Sequence, residues 1–65
     1  MKVRDVIHMI ENDGWRFHSQ EGSHRQYKHA AKPGRVTIAG QPGDEMHPKT
    51  LATVCRQAQI ERPRG

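Results

Sequence analysis

Chemistry in this chain concentrates in the stretch QEGSHRQYKH, Gln20 to His29, where Ser23 and His24 follow directly on Gly22 and several basic side chains come after them. An imidazole changes charge between about pH 5 and 8, so His24 is able to accept or donate a proton near neutrality. Ser23 places a hydroxyl beside it, and His18 supplies a second imidazole upstream. Arg16, Arg25 and Lys28 bring positive charge to the same region, as an anionic ligand would require. Lys49 lies near the start of a later segment, where a helix N-terminus and a lysine together can hold a phosphate. The five histidines raise the question of a metal. None forms an i, i+4 pair and there is no Cys-x-x-Cys partner, so no metal ligand set and no cofactor is expected. Cys55 lies in an apolar helical stripe and reads as a core residue.

The elements that must position these residues follow from periodicity. Val3, Val6, Ile7 and Ile10 fall at i, i+3, i+4 and i+7, one stripe of a helix that Asp13-Gly14 should end. From Trp15 the period changes to two, which predicts a strand with Trp15 and Phe17 on one face and Arg16 and His18 on the other. Glu21-Gly22-Ser23 reads as a turn, His24 to His29 as a second strand, and Arg35 to Ala39 as a third, after the Lys32-Pro33-Gly34 break. Gly40 to Glu45 is a loop. Pro48 suits the first turn of a helix carrying Leu51, Val54, Cys55 and Ala58 as its apolar stripe. The fold class is therefore α+β in the order α-β-β-β-α, a three-stranded antiparallel sheet with two helices on one face. Residues 1–60 form a single domain in this reading, and 61–65 a disordered basic tail.

Hairpin register decides which way His24 points. A three-residue loop, Glu21-Gly22-Ser23, sets Gln20 opposite His24 and Phe17 opposite Tyr27, so that all three aromatic residues face the helices. The outer face then carries Arg16, His18, Gln20, His24, Gln26 and Lys28, joined by Arg35 and Thr37 from the third strand. In that register His18 is a diagonal neighbour of His24, about 7–8 Å away. A polar outer face is also the ordinary state of a two-layer α+β domain.

Composition bounds the rest. Sixty-five residues, 32% of them apolar, build a thin core worth about 3–5 kcal/mol. Eleven Lys and Arg against seven Asp and Glu give +4 and favour a polyanionic partner. A single cysteine excludes an internal disulfide and suits a reducing, cytoplasmic setting. No run of 18 apolar residues exists and the first residues do not read as a signal peptide, so no membrane association is expected.

IENDGW, then EGSHRQYKH, PGRVTIAG and the closing HPKTLATVCRQAQI together resemble the HicA family of bacterial toxins, with the Gly22-Ser23-His24 triplet, Tyr27 and Lys28 as the most specific part. The chain departs from the family pattern after the third strand, where it reads AGQPGDEM, and at the end of the last helix, RQAQI. The resemblance implies a fold like a double-stranded RNA-binding domain, a metal-independent endoribonuclease that cleaves mRNA with His24 as general acid or base, and a HicB-type antitoxin as protein partner. From position and charge rather than from the resemblance, Ser23 and His18 are the candidates to assist, and Arg16, Arg25, Lys28 and Lys49 the candidates to bind RNA. Without an exposed aromatic platform, RNA would be held through its backbone. The alternative on the same fold is a non-catalytic RNA-binding module. Such a module should carry a lysine cluster at its last helix, and this chain offers Lys49 alone.

Overall fold

The computed structural model describes residues 1–62 of the chain, in the order α1 (Val3–Asn12), β1 (Trp15–Glu21), β2 (His24–His29), β3 (Val36–Ile38) and α2 (Pro48–Ala58). The first helix forms where the apolar stripe predicts it, burying Val3, Val6 and Ile10. It stops at Asp13 because Gly14 takes φ 108°, a conformation open to glycine and strained for other residues. The second helix starts at Pro48, buries Val54, Cys55 and Ala58, and ends on Gln59 in the left-handed region. The sheet is antiparallel in the order β1-β2-β3. Its inward residues Trp15, Tyr27, Val36 and Ile38 pack with both helical stripes and Met46 into one core, which confirms the α+β architecture with both helices on one face.

The third strand is shorter than the expected Arg35–Ala39, because Arg35 and Ala39 fall outside the ladder. Its free edge is closed by α2: the Thr37 N–H donates to Gln57 Oε1 at 3.2 Å. Of the expected 61–65 tail, Glu61 and Arg62 are exposed and belong to no helix or strand, and 63–65 lie outside the described residues.

Both helices begin at one end of the sheet and finish at the other. At the starting end, the unpaired N–H groups of Val3 and Arg4 donate to the carbonyls of Asp44 and Pro42 in the loop before α2. At the finishing end the Lys32 ammonium donates to Asp13 Oδ2 at 2.6 Å, to the Ala58 carbonyl at 3.3 Å and to the Gln59 carbonyl at 3.0 Å. Trp15 Nε1 donates to the same Ala58 carbonyl at 3.2 Å. His29 completes the joint: its Nε2 lies 2.7 Å from the Asp13 carbonyl, and its Nδ1 accepts from the N–H groups of Ala31 and Lys32. Two donors on Nδ1 select the neutral tautomer with the proton on Nε2. The ring meets Trp15 edge to face, with centroids 5.2 Å apart.

Two tests follow from this joint. A Cβ on Gly14 would sit 2.7 Å from His29 Nε2 at a φ unsuited to L residues, so Gly14→Ala should cost at least about 1–3 kcal/mol in a denaturant titration. An unchanged midpoint would dissolve the joint as described. The second concerns acid. The hydrogen bond from Lys32 lowers the Asp13 pKa below the ordinary carboxylate value, so the pair's contribution is complete above about pH 3.9 and is lost as pH falls through the lower folded value. Lys32→Met should weaken the fold at neutral pH and flatten the loss of stability in that acid window. An equally steep acid limb in parent and variant would exclude the pair as its source.

Candidate functional site

The hairpin that carries Ser23 and His24 closes with a two-residue loop, and its register runs Glu21↔His24, Gln20↔Arg25, Ser19↔Gln26, then Phe17↔Tyr27, Arg16↔Lys28 and Trp15↔His29. The expected three-residue loop is therefore corrected. Gly22 takes φ 56° and Ser23 keeps a negative φ, the pattern of a tight turn with glycine first. The pairing nevertheless sets Phe17 opposite Tyr27, because a bulge between Phe17 and Ser19 inserts one extra residue into β1. The extra residue is His18.

That bulge redistributes the outer face. His24 keeps its place there, exposed and on the same side of β2 as Gln26 and Lys28. Glu21 now stands directly across from it, and partners in register hold their Cβ atoms about 4.5–5.5 Å apart. Gln20 moves to the opposite face, as the partner of Arg25 and in line with the buried Ile38, and Ser19 takes its place outside. The diagonal neighbour of His24 is accordingly Ser19, while His18 lies three residues up β1 from Glu21, about 10 Å along the strand. The expected diagonal contact between His18 and His24 is lost with the three-residue loop that produced it.

Arg16 and Lys28 face one another across β1 and β2. Like charges in register are unfavourable. The Arg16 guanidinium donates to the Glu11 and Trp15 carbonyls at 3.1 Å each, so its position is fixed while it stays exposed. Between this cationic rung and His24 lies a neutral one, Ser19, Gln26 and Thr37, with Thr37 Oγ1 donating to Gln26 Oε1 at 3.0 Å. Lys28 and His24 are four residues apart on one strand, so the cationic rung and the imidazole are about 13 Å apart on a bare face.

Arg25 points the other way. It is half-buried on the helix side, and its Nη1 donates to the Gly40 carbonyl at 2.8 Å. Lys49 is exposed on the first turn of α2, but its own N–H is taken by the His47 imidazole, which caps the helix through Nδ1 at 3.1 Å. Among the described residues no cluster of three or more His, Cys, Asp or Glu has a metal-holding arrangement, and no helix is long and apolar enough to cross a membrane. Burial raises the Cys55 thiol pKa, in keeping with a packing role for that residue.

Phe17 departs furthest from expectation. It is 56% exposed, because β1 is an edge strand and the helices cover it only near Trp15. Trp15 and Tyr27 are core residues, but the three aromatics do not share the core, and the surface does carry an exposed ring.

A family model described as HicA toxin of bacterial toxin-antitoxin matches residues 3–60. No curated protein matches the chain. The family match spans nearly all of the chain and every element described above, so the chain belongs to the HicA toxin family, whose members are toxins paired with an antitoxin.

The site geometry separates its cations by task. Arg25→Ala should lower stability by about 0.5–1.5 kcal/mol through loss of the Gly40 hydrogen bond. Lys28→Ala should leave stability unchanged or raise it slightly, since it relieves the repulsion with Arg16. Thermal melts of the two variants check this, and a larger loss for Lys28→Ala would overturn the assignment.

Proposed function

We propose that this toxin is a metal-independent endoribonuclease that cleaves mRNA, with His24 as its general acid or base. The observation that carries the reading is the placement of His24: an exposed imidazole directly after a tight turn, at the start of β2, on the sheet face that neither described helix covers. His24 belongs to the Gly22-Ser23-His24 triplet through which the sequence resembles the family. As a base it would take the proton from a ribose 2′-hydroxyl. The 2′-oxygen attacks the adjacent phosphorus, the bond to the 5′-oxygen breaks, and a proton delivered to that oxygen completes the exchange.

A second group must serve the other half of this proton transfer. Glu21, the register partner of His24, is the nearest carboxylate along the hairpin, with the Ser23 hydroxyl beside it and His18 farther up the bulged strand. Arg16 and Lys28 would neutralise phosphates of the bound strand, and Lys49 would meet RNA that extends past the start of α2. Arg25 serves the fold through Gly40 in this scheme and touches RNA only secondarily. The face that binds RNA is also the face an antitoxin must cover to block it, and its charge calls for an acidic or acceptor-rich surface on a HicB-type partner. An intracellular RNA substrate agrees with the lone, buried cysteine.

The decisive measurement is RNA cleavage by the parent and by His24→Ala, each with and without EDTA. His24→Ala should melt within about 0.5 kcal/mol of the parent, as surface substitutions do. It should cut about 10²–10⁴-fold more slowly while still binding RNA. Cleavage by the parent should be indifferent to the chelator, and an RNA carrying a 2′-deoxy sugar at the cut site should resist it. A variant that retains more than about a tenth of the parental rate moves the chemistry elsewhere. RNA binding with no cleavage by the parent would instead favour the non-catalytic module. Binding should weaken as salt rises, and Arg16→Ala or Lys28→Ala should each reduce the log–log salt slope by about 0.7–0.9.

A further inference from the structure

We infer that Phe17 is a stacking subsite for an unpaired nucleobase of the strand that the basic face binds, an inference that rests on the RNA reading above. Phe17 and Met1 are the large hydrophobic side chains exposed among the described residues. Burial does not account for the ring's position, since the core is complete without it. The ring is held all the same. It meets Tyr27 at 6.0 Å between centroids with the planes at 82°, and Tyr27 is itself 97% buried, since only 3% of it is accessible. In such an edge-to-face contact Tyr27 covers at most one face of Phe17, and with 56% of the residue exposed the other face is the one a ligand would meet.

Its neighbours say what should meet that face. The Phe17↔Tyr27 rung is next to Arg16↔Lys28, a step of about 3.4 Å along the strand. The two rungs lie on opposite sides of the sheet, but β1 is its open edge, so a strand with phosphates on the outer cations can turn one base around that edge. Every base has a π-face, so stacking of this kind adds affinity with little sequence preference. A protein strand adding to the same edge is the competing occupant. The bulge at His18 interrupts the row of backbone groups such a strand would need, and Arg16 and Glu21 flank it with charge, which disfavours edge pairing.

The test uses two probes that cannot be cut, a short 2′-O-methyl oligonucleotide and a strand of equal length with abasic sugars throughout. Phe17→Ala and Phe17→Leu should bind the base-bearing strand about 5- to 150-fold more weakly, the loss expected for one stacked base. Phe17→Trp should bind it at least as tightly as the parent. On the abasic strand all four proteins should agree, and the salt slope should be the same for each, because no phosphate contact is removed. The subsite is overturned if Phe17→Ala binds the base-bearing strand within about twofold of the parent, if the loss is equal on the abasic strand, or if leucine restores full affinity. It is equally overturned if Phe17→Ala weakens only the complex with an antitoxin. A parent protein that binds neither strand would instead remove the RNA reading, and the subsite with it.

Discussion

The fold depends on one ammonium group. Lys32, in the crossing between β2 and β3, donates to the side chain that ends α1 and to two carbonyls that end α2. The last carbonyls of a helix have no partner within it, and the negative end of the helix dipole favours a cation there. One lysine serves both helices, while Trp15 and His29 bring β1 and β2 to the same point. With so few core residues to hold it, the chain joins both helices and two strands at this end through side-chain hydrogen bonds. The other end, where both helices start and the hairpin turns, is tied by backbone hydrogen bonds from α1 to the loop before α2 and carries the exposed His24.

That joint was only partly legible in the sequence. Helices α1 and α2 could be read from stripes of three to four residues, and Gly14 and Pro48 mark their limits through backbone chemistry alone. The convergence of Asp13, Lys32 and Ala58 spans 45 positions and follows from packing, which no local pattern carries. His29 and His47 illustrate the same limit. In the sequence each is one of five similar imidazoles, and in the structure one locks the joint between strand and helix while the other caps α2.

The hairpin shows how a sound rule gives a partly wrong answer. Parity asked for Trp15, Phe17 and Tyr27 on one side, and a longer loop satisfied it. The chain satisfies the Phe17↔Tyr27 pairing differently, with a tight Gly22-Ser23 turn and an extra residue at His18. Both solutions leave His24 outside, since its side is set by β2, which runs without a break from His24 to His29. They differ in everything on β1 beyond the bulge. Glu21 replaces Gln20 as the neighbour of His24, and the exposure of Phe17 comes from the short reach of the helices, which periodicity cannot report.

A domain of this size has little stability from which a buried site could be built, because desolvating charged or polar groups costs several kcal/mol against a core worth about 3–5. Among the described residues no polar or charged one is buried, and every ionisable group with a proposed role in chemistry or RNA contact lies at or near the surface. No helix or strand among the described residues covers the outer sheet face that carries His24, so the elements described leave it open. In the proposed scheme restraint comes from a separate protein laid over that face, which requires no change in the domain itself. The toxin–antitoxin family to which the chain belongs supplies such a protein, since its toxins are paired with an antitoxin.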